Sequence, residues 1–164
     1  MRHRHAQAVS DTYIRLIPTD RDWQPDRSTA ASVAAHVAAL LSGPGDAVER
    51  VEDRFYDRVT LIDAGMYTTR ITCPRCGGEI SMEWLGDVVN SNGGLSFDHL
   101  DVTVPCCRAA VQLDSLHYEN PIGFARFEIS AMNPTRSADE LDAGELGQVS
   151  DLLGHPVAQI IAHY

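Results

Sequence analysis

The chain reads as an α+β domain, a two-layer sandwich of mostly antiparallel sheet with helices on one face. Three observations predict this. Tyr13 to Gly43 and Phe124 to Gly154 share one order, an apolar strand, a polar loop and a helix ending in paired leucines near a glycine, and each spans 31 residues. Between them lie short runs of β-type alternation separated by turn residues. All four cysteines of the 164-residue chain fall in that intervening stretch. The length suits one domain. We expect a tail over 1–11, a single domain over 12–164, and a cysteine-bearing insertion over 66–118.

Taken in order, Thr12 to Ile17 alternates around Tyr13, Ile14, Leu16 and Ile17 and is predicted as a strand stopped by Pro18. Ser28 is the expected N-cap of a helix from Thr29 to Leu41, with Val33, Val37, Leu40 and Leu41 as its apolar stripe. Ala47 to Asp53 and Arg58 to Asp63 are predicted as two strands joined by a turn. Met66 to Thr72 leads as a strand into Cys73, and Glu79 to Trp84 leads out as another. Trp84 to Val89 suits a short helix. Leu100 to Val104 and Ala109 to Leu113 alternate as strands on either side of Cys106-Cys107. Phe124 to Ser130 is a further strand. Ala143 to Leu153 is a helix capped by Gly154, and Pro156 opens a last short helix carrying Val157, Ile160 and Ile161. The two strand–loop–helix halves with strands between them suggest βαββαβ order, the ferredoxin-like arrangement.

Charge excludes some roles. The net charge is −10, from 13 arginines and no lysine against 23 acidic residues. Such a chain repels phosphate backbones, so nucleic acid is not an expected partner. A protein partner, basic in character, fits an acidic surface better. No apolar run reaches the ~18 residues of a membrane span. Met1-Arg2-His3-Arg4-His5 has no apolar stretch behind it and does not read as a secretory signal. A soluble, cytoplasmic chain is therefore expected, with reduced thiols that favour metal over disulfides.

The chemistry lies in Cys73-Pro74-Arg75-Cys76-Gly77-Gly78 and in Pro105-Cys106-Cys107. Thiolates at C-x-x-C spacing reach one tetrahedral Zn²⁺, and glycines after the second cysteine let the chain reverse. The glycine pair argues against a redox C-x-x-C opening a helix. The expected metal ligands are Cys73, Cys76, Cys106 and Cys107. The second half is an adjacent pair, since Thr103 and Ala110 stand where a spaced pair would need cysteine. If only one of Cys106 and Cys107 ligates, His99 or His117 is the alternative fourth ligand. Free cysteine also serves as a small buried hydrophobe.

Cys73 to Gly77 resembles the first knuckle of a zinc ribbon, C-P-x-C-G, over about Thr68 to Met82. The resemblance implies a structural zinc ion and a small hairpin subdomain. Catalytic signatures are sparse. His117-Tyr118-Glu119 matches H-x-E of the zinc deaminases, but its C-x-x-C comes earlier in the chain and lacks the preceding proline. No zincin, P-loop or G-x-S-x-G pattern occurs. Trp23, in a polar loop, is a candidate interface anchor. The sequence thus points to a zinc-binding, non-enzymatic protein acting through protein–protein binding. The alternative is a zinc-dependent hydrolase or deaminase-like enzyme with an open metal position.

Overall fold

The computed structural model describes residues 10–65, 70–120, 122–138 and 140–164. The expected tail at 1–11 lies almost wholly outside these residues, as do residues 66–69 of the strand expected over Met66 to Thr72. The architecture is mixed α and antiparallel β, as the sequence predicts.

Five strands form the main sheet: β1 (Thr12–Pro18), β2 (Arg50–Ile62), β5 (Ser96–Phe97), β9 (Gly123–Met132) and β10 (Val157–His163), in the order β10-β1-β9-β2-β5. Every neighbouring pair is antiparallel. Helices α1 (Arg27–Leu41) and α3 (Ala143–Leu153) supply Val33, Val37, Leu41, Val149 and Leu153 to a core completed by Ile14, Leu16, Phe127, Ile129 and Ala131 of β1 and β9. The strand side chains in this set are spaced by two, one face of the pleat.

Between β2 and β9 the chain builds a second unit: β3 (Ile71–Thr72), β4 (Glu79–Ile80), α2 (Met82–Asn92), β6 (Asp101–Thr103), β7 (Ala110–Gln112) and β8 (His117–Tyr118). Strands β4-β3-β8 form one small sheet and β6-β7 a hairpin. Ile71, Cys73, Ile80, Leu85, Leu100, Val104, Leu113 and Leu116 bury together, against Val59 and Leu61 of β2 and Phe124 of β9. The cysteine-bearing segment therefore shares its core with one end of the main sheet.

Several elements differ from expectation, each for a local reason. Helix α1 begins at Arg27 because Asp26, not Ser28, is its N-cap: Asp26 Oδ1 accepts the Thr29 amide at 2.7 Å, and Ser28 Oγ merely donates to the same carboxylate. The two strands expected over 47–63 are one strand, β2, whose pairing with β9 shifts register between Phe55 and Thr60. That irregularity absorbs the polar residues that resemble a turn. The strand expected over Glu79 to Trp84 stops at Ile80, because Ser81 caps α2 by accepting the Trp84 amide at 3.2 Å. The short helix expected there runs on to Asn92. The last helix is absent: Val157–His163 is strand β10, paired with β1 from Pro18↔Val157 to Thr12↔His163. Its β-branched residues pack on both faces of a sheet, a tertiary pairing that overrides the apolar spacing. Trp23 is not an exposed anchor. It stacks on His155 at 4.5 Å and packs against the main core.

Candidate metal centre

Cys73 follows β3 directly, and the turn after it is closed by backbone bonds. The Cys73 amide donates to Gly78 O at 2.9 Å, and the Gly77 amide donates to Cys73 O at 3.0 Å. Gly77 takes φ 71°, the left-handed region that glycine reaches without penalty. Residues 104–109, between β6 and β7, repeat the geometry. The Val104 amide donates to Ala109 O at 3.1 Å, and the Arg108 amide donates to Val104 O at 3.0 Å. Arg108 takes φ 59°, in Gly77's place, although a side chain there is strained.

The two turns therefore match residue for residue, with Val104-Pro105-Cys106-Cys107-Arg108-Ala109 against Cys73-Pro74-Arg75-Cys76-Gly77-Gly78. Cys107 is the counterpart of Cys76. The counterpart of Cys73 is Val104, fully buried, rather than Thr103 as the cysteine spacing suggests. Cys106 occupies Arg75's place. The shared proline was the available signal: aligning Pro74 with Pro105 gives this register at once.

All four cysteines are free thiols, and their sulfurs lie within 4.8 Å of one another. Cys73 Sγ and Cys107 Sγ are 3.9 Å apart. A tetrahedral zinc with bonds of about 2.3 Å has S···S edges of about 3.8 Å, so this cluster is compatible with a cysteine-rich zinc site. Cys73 is buried at 2% exposure, whereas Cys76, Cys106 and Cys107 face solvent. Comparison with protein-family models, curated proteins and solved structures finds no match.

The thiols are electrostatically unequal. The Cys76 amide, helped by that of Arg75, draws the Cys73 thiol down to about 7. Desolvation and the neighbouring sulfurs of Cys76 and Cys73 push Cys106 up to about 12. Cys107 is also raised: the Ala109 amide pulls it down, but desolvation and the same two sulfurs outweigh that pull. Four sulfurs this close cannot all ionise without a cation between them.

Neither histidine joins the cluster among the described residues. His117 lies on β8 opposite Thr72 with its side chain exposed, and His99 is exposed between β5 and β6. Glu119, the carboxylate of the H-x-E motif, is exposed beyond β8, where its amide donates to Arg70 O.

A second polar concentration, missed in the sequence, lies on the sheet face away from α1 and α3. Arg15 Nε and Nη2 donate to Glu128 at 2.7 and 2.9 Å, and the Tyr56 hydroxyl donates to Glu128 Oε1 at 2.6 Å. Arg15 Nη1 donates to Asp63 O and the Tyr164 hydroxyl, and that hydroxyl donates to Asp63 Oδ1. A cavity of about 240 Å³ opens beside this network, lined by Asp11, Tyr13, Arg15, Arg54, Ser130 and Tyr164. The signal was charge set into largely apolar strands, Arg15 in β1 and Glu128, two residues after Arg126, in β9.

No helix among the described residues is long and apolar enough to cross a membrane.

Proposed function

We propose that Cys73, Cys76, Cys106 and Cys107 hold one structural zinc ion and that the protein acts by binding another protein. The observation that carries the metal reading is the convergence of four sulfurs within 4.8 Å from two like-folded turns. Four thiolates around one ion leave no position for water, which favours a structural over a hydrolytic role. Zinc suits a tetrahedral all-sulfur set, although iron accepts the same donors. The β1–α1–β2 and β9–α3–β10 halves, with strand order β10-β1-β9-β2, support a ferredoxin-like frame, with the metal-bearing segment as a zinc-ribbon-like insertion.

The partner is proposed to be basic. The net charge of −10 supports this, as does α2, which presents Glu83 and Asp87 and contains no arginine. Association of that kind weakens as salt is raised.

The test is elemental analysis of protein purified without a histidine tag, with thiols counted before and after chelation. One zinc per chain, with all thiols protected until chelation, is the expected result. Cys73→Ser should lose the ion and unfold the segment around it. A metal-free Cys73→Ser protein with the segment fully folded would sink the structural role, and wild-type protein without metal would sink the site.

A further inference from the structure

The four sulfurs are not held alike. The Arg75 amide donates to Cys73 Sγ at 3.3 Å, and the Gly78 amide donates to Cys76 Sγ at 3.3 Å. The Ala109 amide is directed at Cys107 Sγ. For Cys106 the corresponding donor is the Arg108 amide, which closes the turn on Val104 O instead. Among the described residues Cys106 Sγ has the sulfurs of Cys76 and Cys73 as its partners. Amide donors withdraw charge from a metal-bound thiolate and fix its position, so a thiolate without one keeps more of its nucleophilicity.

The placement of Cys106 explains this difference. Val104 has taken the ligand position of the turn, and Cys106 reaches the cluster from the apex, where Arg75 stands in the other turn. Gly78 admits it. A Cβ on Gly78 would lie 3.1 Å from Cys76 Sγ and 3.3 Å from Cys106 Cβ. The φ of Gly78 lies outside the left-handed range, so its lack of a side chain provides space rather than conformational freedom. Cys106 is also exposed.

We propose that Cys106 is the modification site of the centre, the ligand that soft electrophiles such as α,β-unsaturated carbonyls take ahead of the other three. The proposal rests on the zinc reading above. In the step, the Cys106 sulfur donates an electron pair to the β-carbon and an S–C bond forms. The alkene π pair moves to the α-carbon, which takes a proton from water. The product is a neutral thioether that no longer binds metal as an anion, so modification loosens the centre from one defined residue.

The experiment treats zinc-loaded full-length protein with limiting N-ethylmaleimide and maps adducts by tandem mass spectrometry, with zinc measured on the same sample. Trypsin cleaves after Arg75 and Arg108, which places Cys73 on one peptide and Cys76, Cys106 and Cys107 on another. Cys106 should react first, by about tenfold or more, the scale on which outer-shell partners change the affinity or activity of metal sites. Equal labelling, or first labelling at Cys76 or Cys107 in protein that carries one zinc, overturns this proposal and leaves the zinc reading standing. Absence of zinc overturns the zinc reading itself. The double variant Val104→Cys/Cys106→Ser restores a regular C-x-x-C and should bind zinc without the fast-reacting thiol; an undiminished fast phase overturns the proposal. If that variant fails to fold, mapping on the wild-type chain decides alone.

Discussion

At the residue scale the most exacting pair is Arg15 and Glu128. Glu128 is fully buried on a sheet face that neither α1 nor α3 covers, shielded by Arg15, Tyr56 and Arg54. Truncating one partner leaves a desolvated charge, so Glu128→Ala should cost about 3–5 kcal/mol, whereas an apolar pair of similar volume, Arg15→Met/Glu128→Leu, should restore most of that loss. Urea denaturation of both variants checks this, and an unshifted midpoint for Glu128→Ala would refute it. Gly78 allows a comparison at the metal centre. Gly78→Ala presses on Cys76 and Cys106 and should weaken zinc affinity about tenfold. Gly86→Ala meets nothing within 4 Å and should leave zinc affinity unchanged, which competition with a chromophoric chelator would measure. The Cys73–Cys76 half of the cluster was legible because C-x-x-C spacing is a local signal. Arg15 and Glu128 were not, because a charge within an apolar strand reads as an edge residue until the opposing strand supplies its partner.

At the element scale, helix α3 shows why some boundaries are readable. Asp142 accepts the Glu145 amide at 2.8 Å and Glu145 accepts the Asp142 amide at 3.0 Å, a capping box encoded within four consecutive residues. Gly154 ends the helix in the left-handed conformation at φ 80°. Strand β10 and the unbroken β2 were illegible for the opposite reason: their conformation is set by register with β1 and β9, residues distant in sequence. Glu145 also carries a pH dependence. Arg136 donates to both its oxygens and holds the carboxyl down to about 2, from an ordinary 4.5. A depressed carboxyl stabilises the fold above its unfolded value and loses that contribution as protons bind. The Glu145→Gln variant should therefore melt below the wild type near neutral pH, and the gap should close as pH falls from 4.5 toward 2. A gap that stays constant across that range would remove the ion pair as its source.

At the scale of the whole molecule, stability is divided. The core beneath α1 and α3 is built from long strands and two capped helices. The segment between β2 and β9 has strands of two or three residues, too short to persist by pairing alone. Its core includes Cys73 itself, so the buried ligand is also a packing residue. A metal closing both turns would tie β3–β4 to β6–β7, which belong to separate small sheets. The fold then predicts a graded response to chelation. Removing zinc should expose amides across 71–118 to hydrogen exchange while β1, β9, α1 and α3 keep their protection. The boundary should fall within β2: Val59 and Leu61 pack against the cysteine-bearing segment, whereas Val51 and Phe55 pack against the main core. Exchange followed by mass spectrometry before and after chelation reads this directly. Uniform loss of protection would mean that the metal supports the whole chain as one cooperative unit. Unchanged protection across 71–118 would mean that Val104, Leu113 and their neighbours hold the segment without any metal.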